Sequence, residues 1–262
     1  MKRFLVFCLL MTGLQAHAYI IYGQAAKLGN GEVRAFADVD KYGALQSIGF
    51  ALSKDALEGL PMQMTDTTLH LPSILNIPPY THLVVNWEPH GHEPDNIYGL
   101  PHFDFHFYMI PEEDRLKITC MGENRIPCLT QPDPAKIPAF YVPTPEGVPQ
   151  MGWHWVDPRS PEFNGQKFTS TFIYGFYNGN MTFVEPMVTR EFLLSHPTFE
   201  KEIPQPQEYP ADGFFPGKYS VSFDSSRNAY FVKLKNFVMP KSRKPSDKKE
   251  LAVAPADGVR DR

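Results

Sequence analysis

The sequence predicts an all-β fold, an antiparallel barrel or sandwich with two or three short helices. Three observations carry this expectation. At least eight short segments of alternating, β-branched or aromatic residues each end in a turn signal. The chain spreads 26 prolines and 18 glycines over 262 residues, which interrupts long helices and favours short strands with many turns. Helical signals are confined to single turns.

In chain order, residues 32–38 alternate, with Val33, Ala35 and Ala37 on one side. The turn Asp40-Lys-Tyr-Gly43 leads into a second strand over 44–52, making a hairpin. Asp55 caps one helical turn that Gly59 and Pro61 end. Residues 81–87 and 102–110 read as strands. Pro111 opens a short helix with acids in its first turn, where the helix dipole favours them. Residues 132–149 carry six prolines and are expected to be an extended loop. Residues 167–177 and 181–187 form a hairpin about Asn178-Gly-Asn180. A short helix over 189–196 stops at Pro197, and 218–223 with 230–238 make a last hairpin.

Residues 1–18 read as a secretory signal: Lys2 and Arg3, an apolar run from Phe4 to Leu10, then Ala16-His17-Ala18 as the cleavage site. That run is shorter than the roughly 20 residues a membrane span needs, and no later segment is long or apolar enough. The expectation is an exported protein, periplasmic or secreted, with one β-rich domain over 19–240 and a disordered charged tail over 241–262. Without Lys2 and Arg3 the 25 basic side chains become 23 against 29 acids, a net of −6. This disfavours nucleic acid as a partner, because phosphate binding needs a positive field. Cys8 leaves with the signal. Cys120 and Cys128, closing a small Gly-containing loop in an oxidising compartment, are expected to form a disulfide. A thiolate pair on a metal is the competing reading, disfavoured by the long spacing.

Six of the nine histidines stand between Thr81 and His154, four of them within residues 90–106. In the strand Pro-His102-Phe-Asp104-Phe-His106-Phe-Tyr108, alternation puts His102, Asp104 and His106 on one face and Phe103, Phe105 and Phe107 on the other. The Phe face is core. A His-Asp-His face enclosed in a barrel would need partners, and a transition metal is one. Side chains at i and i+2 stand roughly 6.6 Å apart and can converge on one ion, whereas i and i+4, at roughly 13 Å, cannot on a regular strand. His90-Gly-His92 offers a second i, i+2 pair, with Gly91 freeing the backbone between the rings. The preferred site therefore joins His90, His92 and His106, with Glu93 or Asp104 as a fourth group and His102 supporting a ligand or moving a proton. His154, between Trp153 and Trp155, and Glu185, an acid in an apolar strand, are further candidates as ligand or general base. The competing reading is that these histidines are hydrogen-bonded core and loop residues.

The segments His90-Gly-His92-Glu-Pro, Pro101-His-Phe-Asp-Phe-His-Phe-Tyr108, Gly152-Trp-His-Trp155, Phe172-Ile-Tyr-Gly-Phe-Tyr177 and Glu185-Pro-Met187 resemble a family of exported bacterial proteins without an assigned activity. One member is under extracytoplasmic sigma-factor control. The resemblance spans roughly residues 31–196 and implies an exported β-rich domain with clustered histidines. It carries over no catalytic assignment. A weaker likeness is to cupins, whose first motif has His-x-His and a following Glu. Here Glu93 comes too early and no later histidine carries the matching glycine pattern, so this is architectural analogy only.

The chain lacks a Gly-x-Ser-x-Gly elbow, a phosphate-binding loop and a His-Glu-x-x-His helix. What remains is a metal-dependent enzyme using Zn, Mn or Fe, with Glu93, Asp104 or Glu185 as base and a small-molecule substrate against Trp87, Trp153, Trp155, Tyr98 or Tyr108. The alternative is a non-catalytic metal- or ligand-binding stress-response protein. A third reading is a structural domain with no metal.

Overall fold

A computed structural model describes residues 19–239; the expected signal (1–18) and tail (241–262) lie outside them. The elements in order are β1 (Tyr19–Leu28), β2 (Gly31–Val39), β3 (Leu45–Ser53), β4 (Thr65–Leu69), β5 (His82–Glu88), α1 (Asp95–Tyr98), β6 (His102–Tyr108), α2 (Glu112–Arg115), α3 (Arg125–Cys128), β7 (Val142–Val148), β8 (Gly152–Val156), β9 (Ser170–Tyr177), β10 (Asn180–Thr189), α4 (Arg190–Leu194), β11 (Thr198–Glu202), β12 (Phe215–Asp224) and β13 (Ala229–Val238). They form a six-stranded sheet, β1-β2-β3-β13-β12-β11, and a seven-stranded sheet, β4-β5-β6-β10-β9-β8-β7. Neighbouring strands run antiparallel throughout. Neither sheet closes on itself. Of the two expected architectures the sandwich is found and the barrel is not, which also removes the expected barrel interior as the place of the histidines.

The core lies between the sheets. Phe50 of β3 meets Phe105 and Phe107 of β6 at ring separations of 5.0 and 5.1 Å, and Phe172 of β9 meets Tyr219 of β12 at 5.4 Å. Trp87, Phe103, Trp155, Tyr174, Val221 and Leu234 belong to the same apolar cluster. Each large apolar side chain so enclosed contributes roughly 1.5–3 kcal/mol by leaving water, which fixes the register of β6 with its phenylalanines inward.

Residues 132–149 are not wholly a loop. They end in β7, which carries Pro143 and Pro145. Proline has no N–H for the ladder, and β7 is an edge strand, where that loss is tolerated. The turn that Asp55 was expected to cap is a 3-10 turn, Lys54–Leu57, with Ser53 at the cap position and Asp55 inside it. Thr189 caps α4 by accepting a hydrogen bond from the Phe192 amide at 3.2 Å. Cys120 and Cys128 are joined by a disulfide, with Cα atoms 5.3 Å apart. The bridge lies on Gly147 of β7, where an added Cβ would come within 2.1 Å of the Cys128 sulfur. No helix among the described residues is long and apolar enough to cross a membrane.

Candidate metal centre

Because Phe103, Phe105 and Phe107 face the other sheet, His102, Asp104, His106 and Tyr108 project from the outer face of the seven-stranded sheet. That face is not wet: His102, His106 and Tyr108 are fully buried and Asp104 nearly so. It is roofed by chain returning over it. Tyr98 of α1 packs with Phe168, Ile173 and Met187, joined by Ile97, Leu100 and Phe163. A second patch of Val84, Tyr108 and Phe183 is covered by Ile110 and Met151.

Under this roof the candidate ligands form two groups of three, His92 with His102 and Asp104, and His106 with His154 and Glu185. Within each group the donor atoms all lie within 4.8 Å of one another. Each is two imidazoles and one carboxylate.

In the first group, the Asp104 oxygens stand 3.1 Å from His102 Nε2 and 3.7 Å from His92 Nε2. His102 Nδ1 lies 2.6 Å from the Leu100 carbonyl, and His92 Nδ1 2.9 Å from the Glu93 carbonyl. A carbonyl only accepts, so in each ring Nδ1 carries the proton and donates it, leaving Nε2 turned toward Asp104. Metal-binding histidines are commonly held in this way, one nitrogen anchored to a carbonyl and the other free for the ion. The short His102–Asp104 approach lies off the direction a hydrogen bond needs, and both His102 Nε2 and Asp104 Oδ1 remain without a hydrogen-bond partner. Gly91, at φ +72°, makes the turn that delivers His92: a Cβ there would sit 2.1 Å from the Tyr98 carbonyl.

In the second group, Glu185 Oε2 lies 3.5 Å from His106 Nε2 and 3.6 Å from His154 Nε2. Glu185 follows from the β6–β10 register, in which Val184 pairs Phe107 and Met187 pairs Asp104. His154 comes from β8 through its pairing with Gly175 of β9. Gly175 also makes room for the Phe183 ring, which an added Cβ would meet at 2.0 Å. Phe183 in turn packs against both His106 and His154, with ring separations of 4.9 and 5.1 Å. Among the described residues, neither His106 nitrogen, nor His154 Nδ1, nor Glu185 Oε2 has a hydrogen-bond partner. Buried polar atoms are costly unless partnered. A tetrahedral ion with bonds of about 2.0–2.2 Å has donor atoms about 3.3–3.6 Å apart, the spacing of Glu185 Oε2 from each of the two histidines.

The two groups differ electrostatically. Burial would raise Asp104, but the facing His102 and His92 outweigh it and hold the carboxyl well below its usual range. Burial would likewise depress His92, yet Asp104 carries that ring up to about 9. In the second group burial dominates. It pushes His106 down to about 3 and His154 down to about 4, so both imidazoles are neutral at pH 7 and free to ligate. It also pushes Glu185 well above the carboxylate range, aided by Asp104 and Glu88. Beside the first group, burial and then Asp104 raise Glu88 to about 7.

The expected trio of His90, His92 and His106 is thus divided. His92 stands with His102, and His106 with His154 and Glu185. His90 and Glu93 are exposed and in neither group. The Gly91 turn sends the two neighbouring histidines different ways rather than to one point. His102, expected as a supporting residue, is itself among the candidate ligands, as are His154 and Glu185. Trp87 and Trp155 lie in the core between the sheets with Trp153 packed against it, away from this face, while Tyr98 and Tyr108 are on it. Glu88, like Glu93, lies close to the His90-Gly-His92 pair in sequence, but closeness alone does not mark it as a ligand. The signal was its place at the end of a strand pairing directly with the histidine strand.

A family model described as TTHB210-like (hypothetical protein TTHB210) matches residues 40–87, 48 of the 262. The matched stretch runs from the turn before β3 to Trp87 in β5. It includes none of the six grouped residues. No curated protein and no solved structure matches the chain.

Proposed function

We propose that this is an exported metal-binding β-sandwich protein that holds divalent transition ions in its two groups of two histidines and one carboxylate. The observation that supports the reading is the convergence of six donor atoms from four chain segments into two sets of three, under an apolar roof and mostly without hydrogen-bond partners. Imidazole with carboxylate suits Zn²⁺, Mn²⁺ and Fe²⁺ alike. Three protein ligands leave a coordination position for water or a substrate oxygen, which a bound ion would acidify or polarise. On this reading Asp104 and Glu185 are ligands rather than free bases, and the substrate is a small molecule.

The second reading is a non-catalytic metal-holding protein. It is favoured by the near-complete burial of His106 and Glu185, which suits an ion that does not exchange. Elemental analysis of the untagged mature protein tests the common part of both. At least one equivalent of transition metal is expected, with a melting temperature that falls on chelation and recovers on adding back Zn²⁺, Mn²⁺ or Fe²⁺. Less than about a tenth of an equivalent, with no thermal response to any of the three, overturns it.

A further inference from the structure

We propose that Glu88 is the fourth protein ligand of the His92, His102 and Asp104 centre, and that the two centres are therefore unlike. The inference rests on the metal-binding reading above. Glu88 ends β5 directly opposite His102 in the ladder, so its side chain leaves the same outer face. Facing residues of this kind have Cβ atoms about 4.5–5.5 Å apart, within the reach of a glutamate side chain; the Glu88 carboxylate is not among the donor atoms that lie within 4.8 Å of one another, so it must turn toward the trio to ligate. Glu88 is nine-tenths buried, and its electrostatic neighbours among the described residues include Asp104, His92 and His102. Next to it on the same face, Asn86 pairs with Asp104. The Asn86 amide nitrogen is tied to Asp66, while its Oδ1 is buried without a partner. The β5 strand thus sets two oxygen donors beside the two ligands of β6.

Charge points the same way. A divalent ion held by Asp104 and Glu88, with His102 and with His92 once it has released its proton to bind, is electrically balanced, which matters where burial makes a net charge costly. The second centre has a single carboxylate, Glu185, among Phe183, Tyr108 and the two imidazoles, and no further acid on its strands within the group. Glu88 gives the first centre four protein donors and leaves the second with three.

Zn²⁺ titration calorimetry on the metal-stripped mature protein tests this, using wild type, Glu88→Gln, Glu88→Asp and, as a surface control, Glu113→Gln. Wild type and Glu113→Gln are expected to bind two equivalents. Glu88→Gln should bind one as tightly as wild type and the other about 100-fold more weakly, with unchanged circular dichroism. Glu88→Asp keeps the charge but draws it back by one methylene, so its weakened site should fall between the two. Two equivalents bound by Glu88→Gln with wild-type affinity would overturn the role of Glu88 while leaving the metal-binding reading intact. No Zn²⁺ bound by wild type would overturn both.

Discussion

Glu185 Oε2 stands 3.5 Å from His106 Nε2, two groups buried face to face across the β6–β10 ladder with no hydrogen bond between them. The separation suits two ligands of one ion better than a donor and an acceptor. Burial has already set the imidazole neutral, and it shifts the carboxyl toward its protonated form, whose proton a cation would have to displace.

Glu185→Gln separates ligation from packing. The amide has the shape of the neutral acid it replaces, so the metal-free variant should remain within about 1 kcal/mol of wild type. The thermal gain from ion binding at this centre should vanish. Chemical denaturation with and without Zn²⁺ checks both halves, and a variant that keeps the full Zn²⁺-dependent gain would count against Glu185 as a ligand.

His106→Ala should lose one equivalent of metal, whereas His196→Ala should lose none. His196 stacks on Phe223 with ring centroids 3.9 Å apart and belongs to neither group. Equal metal content in the two variants would contradict the grouping.

How far the site was legible follows from which contacts are local. Alternation along residues 102–108 alone assigns the Phe face to the core and the His-Asp-His face away from it, and the i, i+2 spacing allows His102 with Asp104 and separates His102 from His106. What alternation could not supply is the roof: a polar strand face under Tyr98, Phe163 and Phe168 looks in sequence like one turned into a barrel. Nor could it show that His154 and Glu185, each visible as an unusual residue in an apolar strand, arrive at His106 through the pairing of β8, β9 and β10. The strands missing from the order read in sequence are β1, β4, β7 and β11, which are the four sheet edges, and β8, which lies one place in from the β7 edge. Edge strands lose the apolar alternation that marks a half-buried strand. β11 is Thr-Phe-Glu-Lys-Glu and β7 carries two prolines.

Gly175→Ala tests whether the space beneath Phe183 matters. The new methyl would collide with the fully buried ring that walls both His106 and His154. Destabilisation of about 1–3 kcal/mol is expected, with weakened metal binding at that centre alone. Wild-type stability would show the wall to be soft.

Acid should weaken the fold through His82. Its ring stacks on Tyr108 with centroids 4.9 Å apart, and burial lowers it from 6.5 to about 4. The unfolded chain takes up a proton near pH 6.5 and the folded one only near pH 4. This contribution is therefore fully present above pH 6.5 and is lost as the pH falls between those values. With allowance for screening it amounts to about 1–2 kcal/mol. Denaturation of the metal-free protein from pH 7 to pH 4 should show it, and His82→Phe should make the profile shallower by that amount, with His106 and His154, also depressed by burial, carrying further slope. An unchanged slope would remove His82 as the cause.

Replacing both Cys120 and Cys128 by Ser should cost about 2–3 kcal/mol through the freed loop, measured by denaturant unfolding. Metal content should not change, because neither cysteine belongs to a candidate ligand group. A loss of metal would revive the thiolate reading.

The central claim is tested most directly by anomalous-difference diffraction from crystals of the mature protein loaded with Zn²⁺, collected on both sides of the zinc absorption edge. Two buried peaks are expected, one among His106 Nε2, His154 Nε2 and Glu185, the other among His92 Nε2, His102 Nε2 and Asp104. Zinc found only on exposed side chains, with both trios free of anomalous density, would contradict it.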